Sequence, residues 1–275
     1  MNTFETPGKV ELSLRLQSGS VVVTTGAEPR TTVDLVAIGR KGADAVQDVI
    51  VTCEERGGRH VVRVEQKDKV RWGPLQITWG GGVEVRVTCP GGSDLELAGG
   101  SVDLRAEGEL GEVAVRTASG DVRLERVEHR LEVKTASGDV TVSDLAGEGS
   151  LNTVSGDLEF ARVRGNVTAR AVSGDARIRA LSGALAISTT SGDVEVDTVD
   201  AGELRVQTIS GDVRIGVARG TLVWIDAAST SGDLESELGL EGGEPAAEAE
   251  GPVVPLHVKT VSGDVRIVRA AAVSA

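Results

Sequence analysis

Tyrosine is absent from this chain of 275 residues, and aromatics of every kind make up 2% of it: Phe4, Phe160, Trp72, Trp79 and Trp224. A core must therefore be built from Val, Leu, Ile and Ala. With 36 glycines beside them, the composition favours strands and turns over helices. No run of 18 apolar residues occurs, so no segment reads as a membrane-spanning helix. The start, Met1-Asn2-Thr3-Phe4-Glu5-Thr6-Pro7, has neither a basic n-region nor an apolar h-region, and the expectation is a cytoplasmic protein.

Positive charge is also scarce. Against 42 Asp and Glu stand 29 Lys and Arg, a net charge of −13. That balance argues against nucleic acid or an anionic membrane surface as a partner. Cys53 and Cys89 are the only cysteines, with no Cys-x-x-Cys and no His at a metal-ligand spacing. A disulfide between neighbouring strands remains open, and two buried free thiols are the favoured reading.

Motifs of catalysis are missing as well: no Gly-x-Ser-x-Gly elbow, His-Glu-x-x-His helix, phosphate loop or dinucleotide fingerprint. His60, His129 and His257 are scattered along the chain. No enzyme activity, cofactor or metal is predicted.

What the chain does have is a repeat. Ser-Gly-Asp begins at Ser119, Ser137, Ser155, Ser173, Ser191, Ser210, Ser231 and Ser262, and Ser101-Val102-Asp103 is a near relative upstream. The first intervals are 18 residues, and later ones are longer. Within each repeat apolar residues alternate, as in Val122 and Leu124, Val140 and Val142, Leu158 and Phe160, Ala176 and Ile178, Val194 and Val196, and Val213 and Ile215. A second apolar set follows at Val127, Leu145, Val163, Leu181, Val199 and Val217. This pattern predicts an all-β fold: a right-handed parallel β-solenoid of about 18 residues per coil. Whether each coil has two or three sheets is not decided by the period.

The solenoid is expected over residues 96–270, interrupted by an acidic loop at 239–255 and followed by a loose tail at 271–275. Residues 1–95 lack the motif and read as a β-rich, sandwich-like cap. Glu11 to Leu16 and Val83 to Val87 alternate as half-buried strands, and Ala43 to Asp48 suggests one helical turn or a short helix.

The repeated triplet has a structural reading. Gly120, Gly138, Gly156, Gly174, Gly192, Gly211, Gly232 and Gly263 suit tight corners, while Ser and Asp bond to the corner amides. The rival is a calcium ladder built from Asp121, Asp139, Asp157, Asp175, Asp193 and Asp212. The opposite corner lacks matching ligands, since Asn166, Ala184, Glu203 and Thr221 stand at its third position. Two residues after each Asp stand Arg123, Thr141, Glu159, Arg177, Glu195, Arg214, Glu235 and Arg266. From Glu159 onward the sign alternates along the sequence, which suggests register-setting pairs. Thr117, Thr135, Thr153, Thr189, Thr208 and Thr260 form a file that strand propensity explains better than an ice-binding row. Trp72 and Trp79 flank Gly73-Pro74, and they mark either a partner-contacting tip or a cover for apolar core.

Phe4-Glu5-Thr6-Pro7-Gly8-Lys9-Val10, the run Val83 to Val87 followed by Cys89-Pro90-Gly91-Gly92-Ser93-Asp94-Leu95, and the repeated Thr-Ala-Ser-Gly-Asp-Val resemble a bacterial family. It is the group of uncharacterised β-strand-repeat proteins labelled "putative adhesin", and the likeness covers nearly the whole chain. The resemblance implies a right-handed β-helix and no catalytic residues. The functional expectation is a non-enzymatic scaffold that acts through protein–protein contacts or self-assembly at a solenoid end. Val265-Arg266-Ile267-Val268-Arg269 is the expected open edge. The alternative is a glycan- or calcium-binding adhesive module exported by a non-standard route.

Overall fold

The computed structural model describes residues 1–39, 42–67, 82–238 and 253–270. Trp72 and Trp79, residues 239–252 of the acidic segment, and the tail 271–275 lie outside the described residues. Strand accounts for 75% of the structure and helix for 2%, and the fold is a β-solenoid. The alternation in the repeat is the cause. Leu158 and Phe160 are buried while Glu159 between them faces outward, as the two-residue period of a strand requires. Contacts divide the chain into two compact units, Met1–Gly138 and Asp139–Ala275.

The first unit opens with β1 (Asn2–Glu5), β2 (Val10–Gly26) and β3 (Arg30–Ile38). A six-residue helix, α1 (Gly42–Gln47), follows where the sequence suggests a helical turn or a short helix. Then come β4 (Val49–Arg56), β5 (Arg59–Gln66), β6 (Gly82–Pro90), β7 (Ser93–Ser119) and β8 (Val122–Ser137). β7 and β8 pair in parallel, with Ser119 opposite Ser137.

β2 is itself a rung. It pairs in parallel with β7 from Glu11↔Asp94 to Thr24↔Glu107, and on its other side with β5 and β6. Ser18-Gly19-Ser20 thereby lies opposite Ser101-Val102-Asp103, so rung register extends further toward the N-terminus than the Ser-Gly-Asp motif. The outermost rung, made of β5 and β6, has covered edges. Antiparallel β4 lies on β5, antiparallel β3 lies on β6, and β1 lies on β3. Covering the edge satisfies backbone groups that would otherwise template further pairing.

In the second unit, β9 (Val140–Leu145) and β10 (Glu148–Ser155) make one rung, and β11 (Leu158–Val163) and β12 (Asn166–Arg170) the next. β13 (Ala176–Leu181) with β14 (Ala184–Ser188), and β15 (Val194–Val199) with β16 (Glu203–Gln207), continue the stack. Each rung of this unit therefore contributes one strand to each of two columns. Beyond them lie β17 (Val213–Val217), β18 (Leu222–Ser231), β19 (Leu234–Ser236), β20 (Val253–Ser262) and β21 (Val265–Arg269).

Here chain order and spatial order part. One column runs β9-β11-β13-β15-β17-β21-β19. The other runs β10-β12-β14-β16-β20-β18. The expectation that Val265–Arg269 forms the open edge is therefore corrected: β21 is paired on both sides, with β17 and with β19. The chain passes over one rung position, builds β18 and β19, and returns to fill the gap. A parallel return needs a connection of a dozen or more residues, and residues 237–252 supply it.

The insertion also changes the charge pattern. Arg214 lies opposite Arg266 rather than Glu235, and Arg266 meets Glu235 on its other edge at 2.8 Å. Glu195 is flanked by Arg177 at 3.5 Å and Arg214 at 3.6 Å. The alternation seen along the sequence is thus kept from Glu159 to Arg214 and broken at the inserted strand.

Candidate functional site

The corner triplets are the most regular feature of both units. Each corner glycine has positive φ, from 119° at Gly138 and Gly174 to 157° at Gly232. At Gly174 the backbone of the next rung also comes close, because a Cβ there would lie 2.3 Å from the carbonyl oxygen of Gly156. The aspartates form a hydrogen-bonded ladder. The backbone amides of Asp157, Asp175, Asp193 and Asp212 donate to Oδ1 of Asp139, Asp157, Asp175 and Asp193 at 2.8–2.9 Å.

The ladder then follows the spatial order of the strands, with Asp264 donating to Asp212 at 2.8 Å and Asp233 to Asp264 at 2.9 Å. In the first unit Asp121 donates to Asp103 at 2.9 Å. One carboxylate oxygen of each acceptor is thus committed to holding rungs in register. Among the described residues no group of three or more His, Cys, Asp or Glu is placed to hold a metal ion.

The threonine file points inward and is buried. Oγ1 of Thr117, Thr135, Thr153 and Thr189 donates to the carbonyl two residues on, at 2.7, 2.8, 3.1 and 3.3 Å. Oγ1 of Thr208 and of Thr260 has no such partner. A buried hydroxyl without a bond retains its desolvation cost, whereas a bonded one contributes about 1 kcal/mol. Thr153→Val is therefore expected to destabilise by about 1 kcal/mol, and Thr208→Val to be neutral or stabilising. Urea unfolding of the two variants checks this, and equal losses would show the two hydroxyls to be equivalent.

The functional candidate is the end of the second unit. Among the described residues β18 pairs only with β20, and β19 only with β21. The inward positions of this last rung lose their cover: Val223 and Ile225 are half-buried, and Leu234 is 51% exposed. Their partners one rung inward, Val254, Leu256 and Val265, are sealed. On the outer face Trp224 is 50% exposed, with its ring edge-to-face with His257 at 5.2 Å. Nδ1 of His257 lies 3.3 Å from Oδ2 of Asp226.

Sequence reasoning did not select this rung. Its signal was the stretched interval between Ser231 and Ser262, where the acidic segment intervenes. The remaining histidines take no part, since His60 pairs with Val10 in the first unit and His129 lies in β8. The cysteines are free thiols. Burial pushes Cys89 up to about 11, with a hydrogen bond to Ser93 acting the other way, and burial also raises the half-buried Cys53. Among the described residues no helix is long and apolar enough to cross a membrane.

Comparison with known proteins gives one family. Residues 10–268 match the model described as Toastrack DUF4097. No curated protein matches the sequence. Among solved structures, a "putative adhesin" from Bacteroides fragilis NCTC 9343 is 12% identical, with 97% of this chain and 95% of that chain covered and a TM-score of 0.40. Another so described, from Parabacteroides distasonis ATCC 8503, is 10% identical, covering 96% and 95% with a TM-score of 0.39. A "putative lipid binding protein" from the same organism is 10% identical, covering 98% and 96% with a TM-score of 0.38.

Proposed function

The chain belongs to the Toastrack DUF4097 family, and on that premise we propose that it is a non-enzymatic, adhesin-like scaffold that associates through the β18–β19 end. The observation that carries this reading is the uncovered last rung. Among the described residues, strands β18 and β19 present an unpaired edge together with the half-exposed Val223, Ile225 and Leu234. An edge of this kind templates strand addition, and burying a large aliphatic side chain fully contributes about 1.5–3 kcal/mol. The natural occupant is a second copy. Two-fold pairing would set β18 antiparallel to its counterpart and cover both apolar ends at once.

Light scattering across protein concentration tests the proposal. The average mass is expected to rise with concentration for the natural chain and to stay at that of one chain for Leu234→Lys. A single-chain mass at every concentration and salt condition would overturn self-association.

A further inference from the structure

The outer face of the second column carries a site independent of the edge. Along β16 and β20 the outward side chains are Arg205 and Gln207 beside His257 and Lys259, paired in register. They line a cleft of about 180 Å³ together with Val206. The cleft exists because its neighbours are small. Ala186 and Ser188 of β14 lie opposite Arg205 and Gln207, and Ala228 of β18 lies opposite Lys259. Ala186, Ser188 and Ala228 are too short to fill the space beside them.

The lining is rich in donors, and acceptors and an aromatic ring stand at its margin. Lys259 and Arg205 supply cationic donors, and Gln207 can both donate and accept. Asp226 accepts beside His257, while Glu203 lies 3.4 Å from the Arg205 guanidinium on the same strand. The exposed indole of Trp224 stands against His257 at the margin. A bare anion calls for donors alone, and a cation for acceptors alone. A hydroxylated ring uses donors, acceptors and an aromatic platform together, because its hydroxyls work in both senses and its C–H face is apolar. Arg205 is already opposed by Glu203, but no carboxylate of the described residues lies within ion-pair distance of Lys259. Among the described residues one cation is therefore left for a ligand carboxylate.

We propose that this cleft binds a uronic-acid residue of an acidic glycan, with the sugar carboxylate on Lys259, ring hydroxyls on Gln207, Arg205 and Asp226, and the ring face toward Trp224. The site lies on the sheet face, so it does not depend on pairing at the edge. Calorimetric titration of the full chain with digalacturonate, neutral galactobiose and sulfate tests it. Digalacturonate is expected to bind, with a loss of about tenfold or more in Lys259→Ala and in Trp224→Ala, since a hydrogen bond to a charged group or a stacked ring is worth about that factor.

Thermal melting of each variant shows that the fold is retained. Galactobiose is expected to bind about tenfold more weakly, because it lacks the charge that Lys259 would meet. Sulfate competing as well as digalacturonate would reduce the site to a simple anion contact and overturn the proposal. So would equal binding of the neutral sugar, unchanged affinity in Lys259→Ala, or no heat with digalacturonate up to about 20 mM, a concentration at which even a millimolar site would be filled.

Discussion

Gly174→Ala is expected to destabilise the protein by about 3 kcal/mol or more, and Gly220→Ala by only about 1 kcal/mol. Both glycines have positive φ, 119° and 83°, so each substitution carries the backbone strain of an L-residue in that region. They differ in what the new methyl group meets. At Gly220 there is nothing within 4 Å, whereas at Gly174 a Cβ would sit 2.3 Å from the Gly156 carbonyl oxygen.

That oxygen belongs to backbone and cannot rotate away, so the rungs must separate at the corner. The separation would lengthen the bond between the Asp175 amide and Asp157 and the one between the Asp193 amide and Asp175. Thermal melting of the two variants checks the prediction. For a chain of this size about 3 kcal/mol lowers the midpoint by roughly 6–12 °C. Equal midpoints would mean that the corner needs positive φ alone and not close approach.

The second large effect concerns β20, the strand that returns to fill the gap. Leu256→Ala is expected to cost about 3 kcal/mol, and Leu234→Ala less than about 1 kcal/mol. Leu256 in β20 is 0% exposed, between Leu204 of β16 and Ile225 of β18. Truncating it leaves a cavity with rungs on both sides. Leu234, which precedes it in the chain, lies in the outermost rung and is 51% exposed, so its truncation removes little buried surface. Denaturant unfolding of both variants compares them directly. A larger loss at Leu234 would show that the last strands stack in chain order after all.

These two experiments mark what was legible. The corner could be read because its cause is local: serine, glycine and aspartate recur at 18-residue intervals, and the apolar residues between them alternate with the period of a strand. Composition excluded an aromatic core, since with aromatics at 2% only Val, Leu, Ile and Ala were left to fill one. The inward threonines were visible as a file, but which hydroxyls find a carbonyl depends on positions of ångström precision. Thr189 and Thr208 have the same sequence surroundings in kind, yet only the first is bonded.

The sequence alone determined the rung: its length, its corners, its inward and outward faces, and hence the β-solenoid. Only the tertiary structure decided the order of the rungs. Ser18-Gly19-Ser20 occupies a corner position although no motif precedes it at the right interval, and β20–β21 stand inside β18–β19 although they follow them in the chain. The physical reason is that parallel rungs are interchangeable to local energetics. Each offers the same ladder of amides and carbonyls and the same apolar faces to a neighbour, so any long connection lets a later strand take an earlier place. A tucked strand gains partners on both edges, and among the described residues of the second unit the uncovered edge passes to β18 and β19. That displacement places Trp224, Leu234 and the cleft around Lys259 at the end of the second unit, where the proposed contacts are made.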